Sequence, residues 1–107
     1  MKLQLTPQAL RLRLADDEIQ EFAQAGQLSH TLHFGGKGLT YSLQQMPPEA
    51  PADLRVRYEA DALIVELPAA LARQLIDGSA VSIKSEVMGT DGQQIRIIIE
   101  KDLGPSH

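Results

Sequence analysis

The chain has 107 residues, a length that builds one hydrophobic core and one domain. Hydrophobic residues make up 43% and charged residues 22%, the balance of a folded protein, while a net charge of −4 argues against a dedicated nucleic-acid binder and leaves room for a local basic patch. The absence of cysteine excludes disulfides, thiolate chemistry and cysteine-based zinc sites.

With two Tyr, two Phe and no Trp, the core must be aliphatic. Met1 to Pro7 hold no apolar run of signal-peptide length, and no segment approaches the roughly 20 apolar residues of a membrane helix. A cytoplasmic protein with no membrane contact is expected. Leu3 and Leu5 alternate with Lys2 and Gln4, and Thr6-Pro7-Gln8 reads as a turn. Leu10, Leu12 and Leu14 then alternate with Arg11 and Arg13, the period of a half-buried strand. Folding back at Pro7-Gln8 sets Leu5 opposite Leu10 and Leu3 opposite Leu12, with Lys2 opposite Arg13 and Gln4 opposite Arg11.

Asp16 and Asp17 are suited to a helix N-cap and first turn, Ile19, Phe22 and Ala23 form a narrow apolar stripe, and Gly26 is placed to stop the helix. Leu28, His30, Leu32 and Phe34 alternate with polar residues, Gly35-Gly36-Lys37-Gly38 turns the chain, and Leu39, Tyr41 and Leu43 mark the next strand. Gln44 to Asp53 contains Pro47, Pro48 and Pro51 and no apolar period, so residues 44–53 read as a linker. Beyond it Leu54, Val56 and Tyr58 form a strand, Glu59-Ala60-Asp61 a turn, and Leu63, Val65 and Leu67 a second strand. Pro68 fits a first helical turn, Leu71, Leu75 and Ile76 supply an apolar face, and Gly78 ends the helix. Val81, Ile83 and Ser85 share one side of the following strand, and Gly89-Thr90-Asp91-Gly92 leads into Ile95, Ile97 and Ile99. The uninterrupted Ile97-Ile98-Ile99 predicts a strand covered on both faces.

Placing Leu3 on Val56 also places Leu5 on Tyr58, Leu10 on Leu63, Leu12 on Val65 and Leu14 on Leu67. A one-residue adjustment brings Gly26 onto Gly78. The order of elements therefore reads as two strand-strand-helix-strand-strand copies, about residues 2–43 and 54–100, within one domain spanning 1–107. The expected fold is α+β and β-rich: a pseudo-twofold small barrel, or a two-sheet sandwich, with two short helices. Closure into a barrel is preferred because it removes sheet edges, and one curved antiparallel sheet with both helices on one face is the competitor.

Leu10-Arg11-Leu12-Arg13-Leu14 and Ile97-Ile98-Ile99-Glu100-Lys101-Asp102 resemble the ends of a family of short, uncharacterised bacterial proteins, a domain of unknown function. That family often continues with an aromatic and a cysteine, where this chain has Leu103 and Gly104. Val65-Glu66-Leu67-Pro68, with Leu71, Gly78, Val81 and the Asp91-Gly92 hairpin, resembles the plan of AbrB-type regulators, in which two such units interlock into a small barrel and bind DNA with basic residues. The basic loop which that resemblance implies is diluted here, since Lys84 and Arg96 are interspersed with Glu66, Glu86 and Asp91.

His30 and His33 are placed on opposite faces of a strand, a poor arrangement for a shared metal, with His30 in the apolar phase and His107 at the terminus. Gly35-Gly36-Lys37-Gly38 lacks the following helix of a phosphate loop and reads as a hairpin connection. Lys2, Arg11, Arg13, Arg55 and Arg57 occupy the polar phase of four strands, either paired with Glu66, Glu86 or Glu100 or forming a basic surface for an acidic partner or nucleic acid. Asp16, Asp17 and Glu18 are explained by capping and dipole compensation. Ile64 and Ile98 fall in the polar phase and either contact the helices or form an interaction surface, with a homodimer expected. No catalytic, metal-binding or cofactor-binding residue and no cofactor is assigned. The expected function is a non-enzymatic binding or protein-interaction module acting on a protein partner or on itself. An AbrB-like nucleic-acid-binding regulator is the alternative, and a small enzyme using Asp16, Asp17 or His30 the third reading.

Overall fold

A computed structural model describes residues 1–102, so His107 and the Leu103-Gly104 positions lie outside the described residues. The leucines flanking Pro7-Gln8 fold back as expected. Strand β1 (Lys2–Thr6) pairs antiparallel with β2 (Ala9–Leu14), Leu5 facing Leu10, Leu3 facing Leu12 and Lys2 facing Arg13. Helix α1 (Asp16–Ala25) follows, with Ala15 rather than an aspartate at the N-cap, and the Glu18 carboxylate accepts the Ala15 amide at 3.0 Å. Gly26 ends the helix at φ 76°, its amide bonding the Phe22 carbonyl at 2.8 Å.

Strands β3 (Gln27–Phe34) and β4 (Lys37–Gln45) form a hairpin closed by Gly35 and Gly36, both at positive φ, as a type I′ connection requires. Strand β4 runs on to Gln45, which shortens the linker, and the Met46 amide bonds the Leu67 carbonyl at 2.9 Å. The second half supplies β5 (Arg55–Glu59), β6 (Ala62–Leu67), α2 (Ala69–Ile76) with Pro68 at its N-cap, β7 (Ser82–Met88) and β8 (Gln94–Lys101).

The strands form two four-stranded sheets, ordered β1-β2-β8-β7 and β3-β4-β6-β5. Each sheet takes one hairpin from before the linker and one from after it. The joins are parallel, β2 beside β8 and β4 beside β6, while every other contact is antiparallel. Each helix carries the chain from one sheet to the other, and the helices touch. Neither sheet closes on itself, so the expected barrel is replaced by two open sheets, and the single curved sheet is also not formed. Edges remain at β1, β7, β3 and β5. Two of them, β1 and β5, are only 5 residues long, one natural way of blunting an edge.

One core lies between the layers. Leu10, Leu12, Leu14, Ile97 and Ile99 enter it from the first sheet, Leu43, Val65 and Leu67 from the second, and Phe22 and Leu75 from the helices. The aliphatic composition is thus what the core uses. Truncating any of these to alanine is expected to cost about 2–5 kcal/mol.

Candidate functional site

Strand alternation turns a second set of residues away from that core. Across β1-β2-β8-β7 the register sets them in rows: Lys2, Arg13, Glu100, Ser82; then Gln4, Arg11, Ile98, Lys84; then Thr6, Ala9, Arg96, Glu86. Bases outnumber carboxylates on this face although the chain as a whole is acidic. The parallel contact of β2 with β8 is what assembles it, because it sets Glu100 beside Arg13 and brings Arg96 and Lys84 onto the same face as the arginines of β2.

Glu100 is the anionic centre. Its Oε1 accepts the Arg13 Nε–H at 2.6 Å and lies 3.4 Å from Arg11 Nε. That hydrogen bond and the carboxylate charge hold Arg13 above its ordinary value. Lys2 Nζ donates to Asp102 Oδ2 at 3.1 Å. Lys84 and Arg96 differ from these: among the described residues neither has an ion-pair partner, although Glu86 stands directly across from Arg96. With Ser85 and Glu86 they line a hollow of about 260 Å³. Arg96 and Glu86 also line a groove of about 610 Å³ that reaches Thr6, Gln8 and Gln94. Ile98 lies in the middle of this face yet is only 5% exposed. It sits between Arg11 and Lys84, whose aliphatic stems are long enough to cover it.

A family model matches residues 1–104, from the Leu-Arg-Leu-Arg-Leu strand through the Ile-Glu-Lys-Asp ending. The chain belongs to DUF7009, a family of unknown function. No curated protein and no solved structure matches it.

In this DUF7009 chain the basic residues singled out from the sequence divide between two faces. Lys2, Arg11 and Arg13 belong to the face just described. Arg55 and Arg57 lie on the outer face of the other sheet, where Arg57 pairs with Glu59 and sits 3.4 Å from Glu66. Ile64 is half-buried there, between Arg57 and Ser42, so Ile64 and Ile98 do not share one surface. Lys84 and Arg96 complete the first face. Their strand phase is legible in the sequence, but their neighbour β2 is not, since alternation names a face and not a partner.

A second cluster joins elements distant in sequence. The Met1 ammonium pairs with the Glu18 carboxylate, His30 Nε2 lies 3.3 Å from the same carboxylate, and the Tyr41 hydroxyl donates to the Met1 carbonyl at 2.6 Å. The His30 and Tyr41 rings stack, centroids 5.7 Å apart. Partial burial opposes ionisation of Glu18, but the Met1 ammonium, the Ala15 amide and His30 outweigh it and hold the carboxyl below its ordinary value. Burial and the Glu18 charge push the Tyr41 hydroxyl up. Asp16 and Asp17 stay in the first turn of α1. The spacing of Glu18 from Ala15 is the only local signal of this cluster, and the rest is tertiary. His33 lies across from Gly38 on the opposite face from His30. Among the described residues no group of His, Asp and Glu is arranged to hold a metal ion, and no helix is long and apolar enough to cross a membrane.

Proposed function

We propose that this protein is a non-catalytic binding module, and that the outer face of β1-β2-β8-β7 receives an acidic protein segment. The observation that carries the reading is the position of Lys84 and Arg96, charged, without ion-pair partners among the described residues, and on the same face as Arg11 and Arg13, with Lys84 in the row of Arg11 and Arg96 in the row next to it. An extended acidic segment laid across the strands would meet Arg11 and Lys84 along one row and Arg96 in the next. Rim charges of this kind set association rate and selectivity more than raw affinity.

The test is titration of the full chain with a fluorescent polyglutamate peptide at low and high salt. Binding that weakens with salt, and a loss of about tenfold in Lys84→Gln/Arg96→Gln against little change in Arg55→Gln/Arg57→Gln, is the expected result. Equal losses in the two pairs, or no binding at low salt, overturn it. Duplex DNA bound more tightly than polyglutamate, with a steep salt slope, transfers the face to the nucleic-acid reading.

The same reading takes the chain as an internal duplication. Advancing each strand of β1-β2-β8-β7 by one unit, so that β1 falls on β5 and β7 on β3, reproduces β5-β6-β4-β3, the strand order of the other sheet. The two units then interlock, each giving one hairpin to each sheet.

A further inference from the structure

Of the edge strands, β1 carries Lys2, β5 carries Arg55, Arg57 and Glu59, and β7 carries Lys84 and Glu86. Charge is a standard device for keeping an edge from pairing. Strand β3 has none. It is 8 residues long, QLSHTLHF, with no Lys, Arg, Asp, Glu or Pro. Every residue from Ser29 to Phe34 is exposed, and on its core-facing phase Leu32 and Phe34 are 49% and 61% exposed.

The turn fixes which backbone groups are open. In a hairpin closed by a two-residue type I′ turn, Phe34 and Lys37 form the hydrogen-bonded pair next to the turn. Leu32 and His30 then also bond β4, and Ser29, Thr31 and His33 direct their N–H and C=O groups outward. Among the described residues no backbone hydrogen bond from another element reaches those three.

We propose that β3 pairs antiparallel with β3 of a second copy of this chain, about a twofold axis at Thr31. That register sets Thr31 opposite Thr31 and Ser29 opposite His33, so every open donor faces an open acceptor. It also sets Leu32 opposite His30 and Phe34 opposite Leu28, giving the exposed apolar side chains cross-strand partners at contact distance. No like charges meet. The product is one continuous eight-stranded sheet across the dimer, centred on β3, and the basic face of the other sheet stays free.

Sedimentation equilibrium of the full chain tests this. Wild type is expected at twice the chain mass, and Thr31→Lys, which sets two lysines face to face on the axis, at the chain mass with an unchanged circular dichroism spectrum. Gln4→Lys adds the same charge to edge β1 and is expected to stay dimeric. Amide hydrogen exchange on wild type is the measurement that survives a misfolded variant: Ser29, Thr31 and His33 exchange slowly in the dimer. A monomeric wild type, a dimeric Thr31→Lys, or fast exchange at those three amides overturns the proposal. Polyglutamate binding is read separately and does not depend on the outcome.

Discussion

The two sheets have matching strand orders and differ most on their outer faces. The central row of one runs Gln4, Arg11, Ile98, Lys84, and that of the other runs Arg57, Ile64, Ser42, Ser29. In each row the interior strand β8 or β4 holds a residue that points away from the core and is nevertheless buried: Ile98 at 5% and Ser42 at 4%. Long basic side chains flank the first, and short hydroxyls and a half-buried isoleucine surround the second. A sheet face can therefore be closed over by aliphatic stems that end in charge, so that its cover also presents that charge to solvent.

The largest effect expected from this difference is on stability. Ile98→Ala removes a buried side chain whose cover cannot fully collapse, and is expected to cost about 2–4 kcal/mol. Ile64→Ala removes a half-buried one and should cost roughly half as much. Chemical denaturation of both variants checks the ratio. Equal losses would mean that the stems of Arg11 and Lys84 do not cover Ile98.

Next in size is the electrostatic contrast. Glu100 engages both Arg11 and Arg13, so Glu100→Gln releases both guanidiniums onto the basic face. Polyglutamate affinity is expected to rise about threefold to tenfold, while stability falls by no more than about 1 kcal/mol. Glu66→Gln on the other face leaves Arg57 paired with Glu59 and should change affinity little. The pair of titrations distinguishes a masked binding face from a merely solvated one.

Acid sensitivity should arise at Glu18. Its folded value lies below the ordinary 4.5, so its contribution is complete above the unfolded value and is lost as pH falls through the folded one. Glu18→Gln is expected to lower stability at pH 7, by no more than about 1 kcal/mol once solvent screening of this partly exposed group is allowed for, and to flatten the dependence in acid. Denaturation midpoints measured from pH 3 to 7 (about four units) give the comparison. An unchanged acid slope would remove Glu18 from this role.

What could be read from the sequence was local. Alternation around Pro7-Gln8 gave the register of β1 on β2 residue by residue, and Gly26, Gly78 and the Gly35-Gly36 turn stand where the punctuation placed them. The run Ile97-Ile98-Ile99 is buried on both faces, as an uninterrupted apolar strand implies. The parallel joins were not legible, because Leu10 and Ile97 are neighbours only after most of the chain has been laid down. That one contact decides the site. It separates Arg55 and Arg57 from Arg11 and Arg13, and it brings in Lys84 and Arg96 from strands whose own charges are mixed.

The smallest expected effect contrasts the hairpins at corresponding edges of the sheets. Pro7-Gln8 joins β1 to β2 with no residue at positive φ, whereas Ala60 and Asp61 join β5 to β6 at φ 51° and 60°. A two-residue turn with both positions left-handed is the type I′ geometry, which favours Asn-Gly and matches the twist of the strands. Alanine there crowds its Cβ against the following carbonyl, at a cost of roughly 1 kcal/mol. Ala60→Asn, whose short polar side chain tolerates this region, and Asp61→Gly should each raise stability by about 0.5–1 kcal/mol. Replacing Pro7-Gln8 with Asn-Gly should not, because no left-handed strain exists there to relieve and proline's restriction of the unfolded chain would be lost. Thermal denaturation of the turn variants measures both signs. A gain at Pro7-Gln8 with none at Ala60-Asp61 would mean that the edge hairpins of the two sheets are held by something other than their turns.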